Sequence, residues 1–281
     1  MPSVLRFYAS AVCLLGLWAG FAHGAGMGLD EARHLLARSG FAPTAAESNA
    51  YAALTRQQAV ERLLTGAVGT ARTPPPEWVN EALPSRREIR DLPEEQRRQL
   101  ARESMRKGFE LRAWWYREML DTPSPLSERM TLFWHNHFVS SLEKVKAPHL
   151  MYRQNVLLRR QALGNFGELL HAIAQDPAMV VYLDSAANKR GQPNENFARE
   201  LMELFTLGVG HYTEQDVKEA ARAFTGWSLD RASYEFRFYP FLHDDGEKQV
   251  LGRSGTLDGG DVLEILLAQP ATAEFVVTKL W

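Results

Sequence analysis

Cysteine is nearly absent from this sequence: Cys13 is the only thiol in 281 residues. One cysteine cannot close an internal disulfide, build a thiolate metal cage or form a Cys-x-x-Cys-His haem attachment. A surplus of either charge is missing too. Thirty-two Lys and Arg face 34 Asp and Glu, for a net charge of −2. A general nucleic-acid binder needs a cationic excess to meet phosphates, so nucleic acid is set aside as a partner. Gly-x-Ser-x-Gly, phosphate-loop and His-Glu-x-x-His spacings do not occur. Their absence removes the compact signatures of serine hydrolases, P-loop enzymes and zincin proteases. What is present is an ordinary hydrophobic share of 45% and a chain long enough for a sizeable core.

Residues 1–24 read as an export signal. Arg6 and the amino terminus give a positive start, and Ala9 to Ala22 form an apolar run of 14 residues. A spanning helix needs about 20 residues, so an uncleaved anchor is the weaker alternative. Ala22-His23-Gly24 before Ala25 supplies a small-residue cleavage site. Cleavage there removes one cation and the only thiol, taking the net charge from −2 to −3. A thiol-free mature chain suits an oxidising compartment. The expectation is an exported protein, periplasmic or extracellular, with no transmembrane anchor after cleavage.

The mature chain patterns as mainly α, a multi-helix domain over 29–281. Asp30 and Gly40 bracket a first helix, with Gly40 in a left-handed turn. Thr44-Ala45-Ala46-Glu47 and Thr55-Arg56-Gln57-Gln58 have capping-box spacing. Residues 66–85 hold Pro74-Pro75-Pro76 and read as a connector between an N-terminal helical piece (29–65) and a main helical body (86–281). Residues 86–117 carry ten Lys/Arg and six acids. They form either a basic patch for an anionic polymer or lipid headgroups, or a solvated helix face with pairs such as Glu94–Arg98 and Glu103–Lys107; the second is simpler. Tyr234, Phe236 and Phe238 alternate with polar neighbours, and Val250-Leu251 offers a return strand, so a small β-hairpin is expected near 234–251. The apolar ending at Leu280-Trp281 has the look of a chain that normally continues.

Two helices hold the polar residues of interest. Pro125 to Phe138 should begin with Ser124 as N-cap and Pro125 in the first turn. At 100° per residue His137 falls in the apolar stripe of Leu126, Met130, Phe133 and Trp134, and His135 on the far side. While the helix persists, the two histidines cannot chelate one ion together. In the helix after Pro193-Asn194-Glu195, Phe197, Leu201, Leu204 and Phe205 form the core stripe, with Asn196, Glu200 and Glu203 along one flank. Paired carboxylates need a cation, a shared proton or an arginine; Arg199, one turn from Glu203, offers the plain ion pair. The loop Asp184–Gln192 ahead of this helix is dense in polar groups.

These segments also resemble a known family. Thr131-Leu132-Phe133-Trp134-His135-Asn136-His137-Phe138, Ala162-Leu163-Gly164-Asn165-Phe166, Asp176-Pro177-Ala178-Met179, Pro193 through Gly208, Ala223-Phe224-Thr225-Gly226-Trp227 and His243-Asp244-Asp245-Gly246-Glu247-Lys248 look like its successive motifs. The family is the bacterial "domain of unknown function 1800". The resemblance implies exported, mainly helical proteins with no assigned activity. Members often sit beside genes for an exported family similar to alkaline phosphatases and sulfatases, and usually continue past a motif like Lys279-Leu280-Trp281. It supplies no catalytic residues.

Three functional expectations remain. The first is a metal-dependent, hydrolytic envelope or extracellular enzyme. In it Glu200 and Glu203 are catalytic and His137, His135, Glu200 and Glu203 hold a divalent metal such as Zn, Mn or Fe. Asn136, Asp184, Asn194, Asn196 and Arg199 form a surrounding polar network. The alternative is a non-enzymatic envelope protein that binds a polymer or an exported phosphatase/sulfatase-like partner, with Trp114, Trp115 and Trp227 as exposed contacts. In the third, the same polar residues only order a helical core.

Overall fold

The computed structural model describes residues 25–281, and the expected export signal at 1–24 lies outside the described residues. Helix α1 (Leu29–Ser39) starts from Gly28, not Asp30, and Gly40 behind it is extended at φ −159° instead of left-handed. A Cβ on Gly40 would lie 2.8 Å from the Pro125 Cβ, so glycine there serves close approach. Both capping boxes form as the sequence predicts. Thr44 with Glu47 opens α2 (Ala45–Ala52), and Thr55 with Gln58 opens α3 (Arg56–Thr65).

The proline-rich segment packs as a ledge on the helices that follow it. Trp78 and Val79, in a short 3-10 turn at Glu77–Asn80, are buried with Leu111, Trp114, Leu150 and Met151. The prolines themselves bring no backbone donor, and the two amides just ahead of them are satisfied by a side chain. The amides of Arg72 and Thr73 donate to the Glu118 carboxylate at 3.0 and 2.6 Å, while Trp114 Nε1 donates to the Thr73 carbonyl at 3.0 Å. The Tyr234 hydroxyl donates to the Pro84 carbonyl at 2.9 Å. Helix α4 (Arg86–Asp91) then leads into α5 (Glu94–Asp121). The expected pairs Glu94–Arg98 and Glu103–Lys107 form along α5, at 2.5 and 3.2 Å.

Helices α6 (Pro125–His137), α7 (Leu142–Val145), α8 (Pro148–Arg160), α9 (Phe166–Ala174) and α10 (Pro177–Tyr182) begin the main body. Helix α11 (Asn196–Glu200) runs straight into a π-helix at Leu201–Thr206. Helices α12 (Glu214–Ala223), α13 (Gly259–Leu267) and α14 (Pro270–Leu280) complete it. Its core joins Phe138, Leu158, Leu170, Met202, Phe224 and Leu263; each such burial contributes roughly 1.5–3 kcal/mol. Among the described residues no helix is long and apolar enough to cross a membrane.

Helix α6 lies between this core and the smaller one under the ledge, so it is buried on two sides. Ser127, Glu128 and Thr131 are therefore as buried as Trp134. Glu128 meets Arg159 of α8 in an ion pair with both side chains 1% exposed. Arg159 Nη2 donates to Glu128 at 3.0 Å, and Trp115 Nε1 donates to the same carboxylate at 2.9 Å. Ser124 does not cap α6: its hydroxyl donates to the Gly66 carbonyl. The tryptophans expected at the surface are turned inward. Trp114 and Trp227 are buried, and Trp115 is half-buried.

The β-structure near the C-terminus is two hairpins. Strand β1 (Trp227–Leu229) pairs antiparallel with β2 (Phe236–Phe238), Trp227 opposite Phe238. Strand β3 (Lys248–Val250) pairs forward with β4 (Arg253–Gly255). Thus Val250 does not return to the aromatic strand; residues 239–247 carry the chain to a separate ribbon. Helix α13 is capped by Asp258 and Asp261, and its first residue packs on two aromatic rings. A Cβ on Gly259 would lie 2.5 Å from Trp227 Cζ2 and 2.7 Å from Phe224 Cδ1. G259A is therefore expected to destabilise by about 1–3 kcal/mol through overpacking. A urea midpoint equal to wild type would show that the rings can retreat.

Candidate functional site

The strongest local departure from regular structure falls on the segment with the paired glutamates. Its entry is braced by asparagines. Asn188 Nδ2 donates to the Ala221 carbonyl at 2.8 Å, and its Oδ1 accepts from the Asn194 amide at 2.9 Å. Asn194 Oδ1 accepts from the Asn196 amide at 3.0 Å, and Asn196 Nδ2 donates to the Leu183 carbonyl at 3.1 Å. Asp184, left-handed at φ 56°, accepts from Lys144 Nζ at 2.8 Å. Asn194, Asn196 and Asp184 thus form a network that holds the loop backbone in place.

Arg199 turns away from Glu203. It donates to both oxygens of Glu214 at 2.7 and 2.8 Å, and to Glu195 at 3.0 Å. These carboxylates raise its already high pKa. The expected Arg199–Glu203 pair is replaced by a link between α11 and α12. Past Glu200 the chain opens to i→i+5 bonding: the Leu207 amide donates to the Met202 carbonyl at 2.9 Å, and the Thr206 hydroxyl to the Leu201 carbonyl at 2.7 Å. A π turn advances less than 100° per residue. The stripe read from α-helical spacing therefore slips: Leu204 faces solvent, and Met202 is buried with Phe197, Leu201 and Phe205.

The helix ends near Leu207, and its last carbonyls lack backbone donors. Lys279 of α14 donates to the Leu204 carbonyl at 3.0 Å. His137 Nε2 lies 3.0 Å from the Phe205 carbonyl. A carbonyl only accepts, so Nε2 carries the proton and Nδ1 the lone pair. Phe133, Phe138, Phe166 and Phe275 surround the imidazole. Burial, helped by Lys279, pushes its pKa down to about 4. His137 is a neutral clamp on the π-helix.

On the outer side, Glu200 and Glu203 are half-buried neighbours. Burial, then the Glu203 charge, raises the pKa of Glu200. Glu203 accepts from the Tyr212 hydroxyl at 3.0 Å. His135 sits elsewhere, edge-on to Trp115 with centroids 5.1 Å apart, and burial lowers its pKa. Asn136 is exposed. Among the described residues, no three His, Cys, Asp or Glu side chains gather where they could hold one metal ion.

Sequence reading missed a second concave feature. The ledge and α5 enclose a cleft of about 460 Å³. Pro74 to Pro76, Glu77, Trp78 and Glu81 line it from the ledge; Arg106, Glu110, Trp114 and Arg117 line it from α5. Its polar groups are pre-positioned. Glu110 accepts from Trp78 Nε1 at 2.8 Å and pairs with Arg106. Lys107 pairs with Glu81 at 2.5 Å and holds its carboxyl below the usual range. The available signal was the adjacency of Pro74-Pro75-Pro76 to Trp78, because a proline run followed by a large aromatic favours a rigid wall over a loose linker.

A family model described as "Protein of unknown function (DUF1800)" matches residues 34–281. The chain belongs to that family. No curated protein and no solved structure matches it. The DUF1800 match spans both features, the π-helix with its glutamates and the cleft between ledge and α5.

Proposed function

We propose that this DUF1800 protein is exported and works in the periplasm or outside the cell as a non-enzymatic binding protein for an envelope polymer. The cleft between the ledge and α5 is the observation that carries this reading. Binding sites are concave and pre-formed, with a few convergent polar groups beside aromatic walls. This cleft combines three glutamates, two arginines and two tryptophans on rigid supports. Charges of both signs, several already paired, suit a ligand of hydroxyl and amide groups better than a polyanion, whose charge would meet Glu77, Glu81 and Glu110. The braced loop at 184–196 fits the same reading, since Asp184, Asn188, Arg190 and Asn196 are committed to partners within the protein.

Retention on insoluble cell-wall glycan provides the test. The purified protein should be retained, and R106A/E110A should weaken retention about ten-fold while the circular dichroism spectrum stays native. Equal retention of the two proteins would refute the cleft as the binding site. Cell fractionation with mass measurement checks export: the recovered chain should lack residues 1–24.

The Glu200–Glu203 pair favours a second reading, a hydrolytic enzyme. A carboxyl with a raised pKa beside a hydrogen-bonded carboxylate is an acid–base arrangement. The donor set does not fit a resident metal held by His137, because phenylalanine rings surround the imidazole and, among the described residues, no three His, Cys, Asp or Glu side chains gather at one point. Release of soluble fragments from the same glycan, abolished in E200Q, would decide for this reading over simple binding.

A further inference from the structure

Helix α5 buries one face and leaves the opposite one open. Leu111, Trp114 and Glu118 point into the protein. Met105, Phe109, Tyr116 and Leu120 are 59–70% exposed, and at 100° per residue they fall within an arc of about 60°. Isolated exposed apolar residues are ordinary, but four large ones in a single stripe are not. Cations border that stripe. Between positions 98 and 117 the same side carries Arg98, Arg102, Arg106, Arg112 and Arg117; Glu94 and Glu95 share it one turn earlier, and Glu110 lies at its edge beside Arg106 and Arg117. Arg98 and Arg106 are paired with Glu94 and Glu110. Among the described residues Arg102, Arg112 and Arg117 have no carboxylate partner, and Arg112 instead lies 4.5 Å from the Phe109 centroid. The simpler sequence reading, a solvated face neutralised by i,i+4 pairs, therefore holds for Arg98 and Arg106 and not for Arg102, Arg112 and Arg117.

From this arrangement we infer that the outer face of α5 docks onto an anionic lipid surface. A partner for this face must be negative at its rim and apolar beneath. A bilayer interface meets both conditions, with acidic headgroups for the arginines and acyl chains for Met105, Phe109, Tyr116 and Leu120. A second copy of the chain is disfavoured, since self-pairing would set three unpaired arginines against three. An acidic polymer leaves the apolar stripe in water. The long arginine stems reach past the stripe to headgroup level while their methylenes cover apolar surface. The contact is peripheral, with α5 lying flat and its buried face still packed on the core.

Vesicle co-sedimentation of the full chain tests this inference. Binding is expected to vesicles of phosphatidylglycerol mixed with phosphatidylcholine, and not to phosphatidylcholine alone, and to weaken as salt is raised. R102Q/R112Q should lower it about ten-fold or more, and F109S/Y116S should lower it independently. The altered side chains are exposed, so native circular dichroism is expected for both. Every protein compared shares the same amino terminus, so the differences report α5 alone. Equal sedimentation of wild type and R102Q/R112Q overturns the inference. So does a wild-type dimer on gel filtration that F109S/Y116S dissociates, which would assign the stripe to a second copy.

Discussion

Alanine at Glu128 is expected to cost about 3–5 kcal/mol, a large share of the roughly 5–15 kcal/mol that holds an ordinary domain together. The loss comes from the charge left behind. Arg159 is 2% exposed and its Nη1 already has no hydrogen-bond partner among the described residues. Removing Glu128 strips the partner from Nε and Nη2 and from Trp115 Nε1 together. A buried pair is itself weak evidence of net stabilisation, because desolvating two ions offsets most of their attraction. The double variant E128L/R159M should therefore recover most of the loss. Urea unfolding of the three proteins measures both effects. A single-variant loss below about 1 kcal/mol would mean that water reaches the abandoned guanidinium.

Acidification should affect two buried groups in opposite directions. Asp176 caps α10 by accepting from the Met179 amide at 3.0 Å and also accepts from Gln154 Nε2 at 2.8 Å. Burial outweighs these bonds and pushes its pKa up to about 7. The folded state therefore holds this proton from about pH 4 to pH 7, where the unfolded chain, at about 3.9, has released it. Its contribution is fully present below pH 4 and lost as pH rises through 7. His137 behaves the other way. Its folded pKa of about 4 lies below the unfolded value of about 6.5, so its contribution is present above pH 6.5 and lost as pH falls through 4. Between those limits the two slopes nearly cancel. D176N keeps an acceptor for the Met179 amide but has nothing to titrate. Relative to wild type it should lose up to about 3 kcal/mol between pH 6.5 and 4, the Asp176 contribution it lacks, since the His137 slope is common to both proteins. H137F should show the reverse, with relative stability growing by up to about 3 kcal/mol from pH 6.5 down to 4. Midpoints measured across that range decide the matter, and parallel curves for all three proteins would remove both groups from the account.

Capping chemistry was readable where the partners lie three residues apart, as at Thr44 and Thr55; at Ser124 and Gly40 tertiary contacts with Gly66 and Pro125 overrode it. The divergence of His135 and His137 followed from helix geometry alone. The π-helix left no such trace, since hydrophobic spacing at 100° per residue assumes the very geometry that fails after Glu200. Leu204 was assigned to the core for that reason. Trp114 and Trp227 looked available for ligands because indole burial depends on distant partners, Thr73 and Gly259 among them. The Glu128–Arg159 pair spans 31 positions, and neither residue's neighbours announce the other. For the candidate site, the glutamates were legible as a pair; that His137 and Lys279 serve as their helix's terminal donors was not.

The ledge also sets an order of events during folding. Its amides at Arg72 and Thr73 are satisfied by Glu118, 46 and 45 positions later, and its last carbonyl at Pro84 waits for Tyr234, 150 positions on. A chain emerging from its amino end can form α1 to α3 from nearest neighbours, but the proline run stays extended and hydrated until α5 is complete. Contacts so distant along the chain form slowly. The amides of Arg72 and Thr73 are thus expected to gain protection from hydrogen exchange later than those of α1 to α3 when the protein is refolded.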